Sequence, residues 1–232
     1  MGKRSCGLVE LNLALQGEAL GLVEVNHLLV AGWTARDAAA RERHIEELER
    51  LGVRRPASTP IFYHVASARL TTAPQIEVLG ATSSGEVEAL LLHAGGRLWV
   101  GVGSDHTDRD AEAHGVALSK QMCDKPVAPV FWPYDSVSSR WDSLVIRSYL
   151  VEGDERLLYQ EGPLSDFIPP EQLMALLTQP DRLRDGSLMF CGTLAARGGV
   201  RHSNAFAFEL EDPATGRTIA HRYDVRALPV AG

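Results

Sequence analysis

Polar and apolar residues alternate with a period of two over much of this chain, and only two long stretches follow the helical period. The stretch 9–15, Val-Glu-Leu-Asn-Leu-Ala-Leu, alternates, turns at Gln16-Gly17-Glu18, and alternates again over 22–30. Successive side chains of a strand point to opposite faces, so the pattern predicts an N-terminal β-hairpin. Residues 34–51 read as a helix. Thr34 stands as its N-cap with Asp37 three residues on, Ala, Arg and Glu fill the interior, and Gly52 follows as terminator. Residues 61–65 form a short strand. Two apolar runs, 87–92 and 97–102, flank Gly95-Gly96 and predict a second hairpin. Residues 108–120 read as the second helix, and 123–133, with three prolines, as extended loop. A β pair over 144–151 and 156–159, a short helix over 170–178, a buried strand over 188–191 and a last hairpin over 205–210 and 218–225 complete the pattern. Strands outnumber helices and most are joined by hairpins. The fold class is therefore α+β with an antiparallel or mixed sheet, and no repeated βαβ unit supports a doubly wound one.

Composition narrows the function classes. The 232 residues are 45% hydrophobic and 23% charged, enough for a full core. The net charge is −7, which argues against nucleic acid and acidic membranes, since both need a basic face. No apolar run approaches the ~20 residues of a membrane span. Charge interrupts any leader core after Met1-Gly2-Lys3-Arg4. Three distant cysteines, Cys6, Cys123 and Cys191, make neither a disulfide framework nor a thiolate metal site. A cytoplasmic location is expected. There is no G-x-S-x-G, P-loop or G-x-G-x-x-G, so serine hydrolase, NTPase and Rossmann readings lack their motifs.

Candidate chemistry concentrates in one place. In Glu86-Val87-Glu88 the two carboxylates share a strand face. If Gly95-Gly96 is the turn, the return strand ends near Asp105, opposite Glu86. Three carboxylates at one sheet end repel one another, and a hard divalent cation relieves that repulsion. The same spacing also suits an ordinary solvent-facing strand, and the polar run 103–110 also suits a capped turn. Asp108 and Asp110 are placed to cap the helix that follows. Trp132 and Trp141 read as core or subunit-contact residues, His106 as a residue that hydrogen-bonds in a turn or else supports the site from behind, and Cys123 as inert.

At this point the residues resemble the fumarylacetoacetate hydrolase superfamily, from the His44 helix to the last hairpin. That family has a strand with E-x-E before a strand ending in N-D-x-S-x-R-D-x-Q. Here Glu86-Val87-Glu88 and Ser104-Asp105-His106-Thr107-Asp108-Arg109-Asp110-Ala111-Glu112 occupy those places. The family's G-K-S looks like Ser119-Lys120-Gln121, and its G-D-x-I-x-x-G-T-P like Asp185-Gly186-Ser187-Leu188-Met189-Phe190-Cys191-Gly192-Thr193. A lid helix with H-x-x-E matches His44-Ile45-Glu46-Glu47, a pattern that by itself is that of a solvated helix face. The chain departs from the family at Ala40-Arg41, near Val65, and in Leu194-Ala195-Ala196-Arg197, so it looks like a divergent branch.

The resemblance implies a mixed β-sandwich roll with few helices, residues 34–232 forming the catalytic unit and 1–33 a hairpin appendage. It implies that Glu86, Glu88 and Asp105 hold Mg2+, Mn2+ or Ca2+. It implies catalytic roles for His44, Glu47 and Lys120, with Arg109, Glu112 and Thr193 contacting substrate. The activity implied is acylpyruvate-type C–C hydrolysis of a 2-oxo acid through a metal-chelated enolate. Decarboxylation, dehydration or tautomerisation on the same site, and a non-catalytic ligand-binding member of the fold, are the alternatives. A homodimer is expected, with a small 2-oxo acid as the only other partner.

Overall fold

The computed structural model describes residues 8–15, 21–50, 55, 56, 58–177 and 183–231. Chain order runs β1 (Val9–Leu15), β2 (Gly21–Val25), β3 (His27–Gly32), α1 (Ala38–Arg50), β4 (Ile61–Val65), β5 (Leu70–Thr71), β6 (Gln75–Leu79), β7 (Ser83–Ser84), β8 (Val87–Ala94) and β9 (Arg97–Ser104). It continues with β10 (Thr107–Asp108), α2 (Arg109–His114), α3 (Val116–Met122), β11 (Lys125–Pro126), β12 (Val130–Pro133), β13 (Val145–Glu152) and β14 (Glu155–Pro163). The last elements are α4 (Pro170–Leu176), β15 (Ser187–Thr193), β16 (Ala205–Asp212) and β17 (Arg217–Leu228).

Two sheets dominate. The larger has the order β2-β1-β12-β9-β8-β15-β3-β4, and the smaller β14-β13-β16-β17-β6. Most neighbours are antiparallel, but β1–β12, β15–β3 and β17–β6 are parallel, so both sheets are mixed. The expected mixed β-sandwich roll of an α+β protein is therefore present. Sequence pattern explains which sheet lies deeper. Residues 87–92 of β8 are all buried, as a central strand covered on both faces must be. In β17, by contrast, Ile219 and Tyr223 are buried while Ala220, Arg222 and Asp224 are exposed, so the smaller sheet keeps one solvent face.

The main core lies between the sheets, where Val87, Ala89, Leu91, Met189 and Cys191 meet Ile146, Phe206, Phe208 and Tyr223. A second core, with Leu28, Val30, Leu90, Leu92, Phe131 and Phe190, fills the opposite face of the large sheet. Each Val, Leu, Ile, Phe or Met among them contributes about 1.5–3 kcal/mol by leaving water. Trp132 and Trp141 belong to the first core, at 4% and 6% exposure. They are core residues and supply no exposed apolar surface for a subunit contact.

Several expectations change. Thr34 does not cap α1. It is buried, its carbonyl accepts from Ile168 N–H at 2.8 Å, and Asp37 Oδ1 accepts from Ala39 N–H instead. Gly52 lies outside the described residues. The helix expected over 108–120 is two helices, because Gly115 adopts an extended conformation (φ 164°, ψ 128°). The stretch 123–133 is not all loop: β12 pairs with β9 and β1, and its proline ends the strand rather than interrupting it. Strand β6, with Ile76 and Val78 buried, has no counterpart in the sequence reading. The stretch 1–33 supplies β1, β2 and β3 of the large sheet, with β3 lying between β15 and β4.

Candidate metal centre

Strand register brings the carboxylates together. Gly95 and Gly96, at φ 61° and 70°, make the two-residue turn that joins β8 to β9. This fixes Glu88 opposite Gly103 and Val87 opposite Ser104. One step further, Asp105 N–H donates to Glu86 O at 2.9 Å. Glu86, Glu88 and Asp105 then each offer an oxygen within 4.8 Å of the others. Thr107 Oγ1 donates to Asp105 O at 2.8 Å, and the β10–β7 pair holds the chain as it leaves the site.

Glu88 is oriented from behind. Gly192 N–H donates to Glu88 Oε2 at 2.6 Å. Gly192 has φ 112°, and a Cβ there would lie 1.7 Å from Thr34 Oγ1, so only glycine fits. That contact also explains why Thr34 is buried rather than capping a helix. Thr193 donates its hydroxyl proton to Val87 O at 2.9 Å and accepts from Gln160 Nε2 at 2.9 Å. Gln160 also accepts from Val87 N–H at 3.0 Å, tying β14 to the start of β8.

Cations close the pocket from α2 and α3. Arg109 Nη1 lies 2.9 Å from both Glu86 Oε1 and Glu112 Oε2, and Arg109 Nε donates to Ser84 Oγ at 2.7 Å. Lys120 Nζ lies 2.8 Å from Glu86 Oε2 and 2.5 Å from Asp105 Oδ2. Lys125, wholly buried, lies 2.8 Å from Asp105 Oδ1 and donates to His106 O at 2.6 Å. Lys120, Arg109, Glu112 and Thr193 thus all reach or border the acidic pocket. His44 and Glu47 fall on α1, and their side chains lie outside the described residues. Tyr63, on β4, stands at the pocket's edge: burial pushes its phenol up, and Lys120, Glu112 and Asp105 all act on it.

The electrostatics separate the three acids. Burial pushes Glu86 up, but Lys120 and Arg109 outweigh it and hold the carboxyl well below the usual range. Burial also pushes Glu88 up, and Asp105 adds to it, so Glu88 titrates well above an ordinary glutamate. Lys120 is pulled down by burial and raised further by Asp105, Glu86 and Glu88, so it stays charged. His106 sits behind the site, between Tyr223 Oη and Ser83 Oγ at 2.9 Å each, and burial pushes it down to about 3. It is a neutral support, in keeping with a turn residue. Cys123 and Cys191 are buried free thiols pushed up by burial, which makes them poor nucleophiles.

These residues fit a hard divalent cation. All three donors are carboxylate oxygens, the preferred ligands of Mg2+, Mn2+ and Ca2+. Each Asp105 oxygen is buried against one ammonium group, at 2.8 and 2.5 Å, and meets no other donor. A carboxylate at 0% exposure with a single partner on each oxygen keeps lone pairs that a coordinated cation can use. Lys125, Gln160 and the Gly192 N–H escaped the sequence reading. Gln160 left a trace: with Ser148 it is polar on the inward side of the β13–β14 pair, where Ile146 and Leu150 are apolar.

Among solved structures, a 2-keto-3-deoxyarabinonate dehydratase is similar over 94% of this chain and 79% of its own, at 16% identity and TM-score 0.67. A 2-keto-3-deoxy-D-arabinonate dehydratase complexed with magnesium and 2,5-dioxopentanoate covers 88% of this chain and 74% of its own, at 17% identity and TM-score 0.61. A 4-oxalocrotonate decarboxylase from Pseudomonas putida G7, complexed with calcium and acetate, covers 86% and 76%, at 12% identity and TM-score 0.54. This chain shares the fold of these enzymes, the fold that the sequence resemblance implies. No curated protein matches the chain in sequence. No helix among the described residues is long and apolar enough to cross a membrane. A family model described as "Protein of unknown function (DUF2848)" matches residues 31–223, and the chain belongs to that family.

Proposed function

We propose that this chain is a divalent-metal-dependent enzyme acting on a small 2-oxo acid, of the lyase or hydrolase type. The observation that carries the reading is the convergence of Glu86, Glu88 and Asp105 within 4.8 Å at a buried sheet end. The fold neighbours complexed with magnesium or calcium, one of them with 2,5-dioxopentanoate, support it. A bound divalent cation supplies Lewis acidity toward an oxygen of the substrate. Arg109 and Lys120 place two permanent positive charges beside the carboxylates and would hold negative charge developing on the substrate. Glu112 orients Arg109 through its 2.9 Å ion pair. Thr193 donates to Val87 O, so its oxygen serves the substrate only as an acceptor and its main role is to shape the loop. His44 and Glu47 would take or return a proton from the lid helix, as the resemblance implies.

Dehydration or decarboxylation is favoured over C–C hydrolysis by the neighbours' chemistry, and either needs the same metal and cationic residues. The proposal includes a homodimer in the cytoplasm; light scattering at micromolar concentration checks the assembly. A panel of 2-oxo acids assayed with Mg2+ or Mn2+, and again with a chelator, tests the activity. Turnover of at least one member that the chelator abolishes is expected. Metal binding without turnover of any member would leave the ligand-binding alternative, for which the committed Thr193 hydroxyl speaks.

A further inference from the structure

The chain holds 23 basic residues, yet only three are lysines: Lys3, Lys120 and Lys125. Two of the three converge on Asp105, one of them also reaching Glu86, while the described ion pairs outside this pocket use arginine or histidine. The choice has physical content. An arginine locks a carboxylate with a planar, often bidentate fork, as Arg140 does on Asp212. A lysine is a compact point charge on a flexible stem and can move without breaking a two-point contact.

The two lysines differ in how they are held. Lys125 is wholly buried and fixed at two points, Asp105 Oδ1 and the His106 carbonyl. Lys120 reaches in from α3, and its ammonium lies 2.5 Å from Asp105 Oδ2 and 2.8 Å from Glu86 Oε2. Glu88 also acts on this ammonium, so it stands among all three acids, and a divalent cation would need coordinating oxygens at roughly 2.0–2.6 Å. An ammonium so close to Asp105 Oδ2 and Glu86 Oε2 excludes a second cation from the same oxygens. Lys120 also has somewhere to go, since Thr107 Oγ1 is already 3.3 Å from Nζ and Glu112 attracts it as well.

We propose that Lys120 is the resident counter-cation of the pocket, and that a divalent cation binds by displacing its ammonium from Asp105 Oδ2 toward Thr107 and Glu112. This rests on the metal reading above and adds a sequence of events to it. In the metal-free pocket this lysine offsets part of the carboxylate charge, beside Lys125 and Arg109. Metal entry turns that lysine outward, where it meets the substrate anion. Lys125 stays in place throughout and keeps Asp105 aimed. One side chain thereby couples cation loading to anion binding.

Titration calorimetry with MnCl2 on the full chain, as wild type, Lys120→Met and Lys120→Gln, tests the exchange. Removing a competing monocation ~4 Å from a dication should tighten Mn2+ binding at least about tenfold in both variants. Equal or weaker binding in variants that fold, beside a wild type that binds, would overturn the displacement and leave the metal reading standing. No binding by any of the three proteins would overturn both. A second measurement needs no variant. Reductive methylation of wild type, followed by mass spectrometry, reads only three lysines. Saturating Mn2+ should speed modification of Lys120 severalfold and leave Lys125 protected. An unchanged Lys120 rate in Mn2+-bound protein would sink the proposal.

Discussion

Two aspartates among the described residues are wholly buried, Asp105 and Asp212, and they are treated in opposite ways. Asp212 ends β16 and is saturated. It accepts from Arg140 Nε at 3.1 Å and Nη2 at 2.7 Å, from Thr215 Oγ1 at 2.8 Å and from Arg217 Nε at 3.1 Å. Arg217 lies over the Trp132 ring at 4.3 Å, so the carboxylate pins the β16–β17 turn to the segment after β12. Asp105 meets one ammonium group on each oxygen and no further donor. A buried carboxylate with every lone pair used is a structural anchor. One left short of partners, among two further acids, keeps capacity for a ligand. The distinction rests on geometry and not on burial, because burial is the same at both.

The widest separation between the two sites should come from Lys125→Met. It leaves Asp105 facing Lys120 alone and strands the His106 carbonyl in the interior. Breaking a buried pair from one side costs about 3–5 kcal/mol. For a domain of this size that lowers Tm by roughly 10 °C. Scanning calorimetry checks it, and saturating Mn2+ should recover part of the loss. A fall of 2 °C or less would show that Asp105 is not held as described.

Next in size is Glu88→Gln. The amide keeps an oxygen for Gly192 N–H but removes one of three anionic ligands. Mn2+ affinity should drop about 100-fold or more, which is roughly 2.7 kcal/mol. The fold should survive, since relieving repulsion with Asp105 is favourable in the metal-free protein. Unchanged Mn2+ affinity would remove Glu88 from the centre. Asp212→Asn is the counterpart. Arg140 and Arg217 are partly exposed and can turn to water, so the loss should be nearer about 2 kcal/mol. Its Mn2+ affinity should match wild type, and a change would mean that the two aspartates are coupled.

The acidic site was more legible in the sequence than the anchor, for a physical reason. Glu86, Glu88 and Asp105 lie within one hairpin, where the strand period and the Gly95-Gly96 turn fix the register. Asp212 takes its partner Arg140 from 72 residues away, and nothing local marks the pair. Lys125 was hidden likewise. It sits on a two-residue strand paired in parallel with β5, inside a stretch whose prolines suggest loop. The broken helix at Gly115 and the buried Thr34 are tertiary effects of the same kind: an extended glycine in one case, the approach of Gly192 in the other. The resemblance supplied Lys120, Arg109, Glu112 and Thr193, which the residues alone did not single out.

The smallest effect is in the pH dependence of folding, where the two sites pull in opposite directions. Hydrogen bonds from Arg140, then from Thr215 and Arg217, hold Asp212 below an ordinary aspartate. Stability from such a group is present above its unfolded pKa near ~3.9 and is lost as pH falls through the folded value. Glu88 is the reverse. Its folded pKa is raised, first by burial and then by Asp105, so its favourable contribution is present below ~4.3 and disappears as pH rises. Metal-free wild type should therefore lose stability, relative to Glu88→Gln, as pH climbs above ~4.3. Asp212→Asn should converge with wild type only at the acid end. A bound divalent cation favours the ionised Glu88, so saturating Mn2+ should flatten the neutral-pH loss in wild type and leave the acid limb unaltered. Denaturant midpoints measured across that range with and without MnCl2 decide it. If the neutral-pH loss persists under saturating Mn2+, the strain on Glu88 is structural, and the contrast between the two aspartates cannot be read as one between anchor and ligand site.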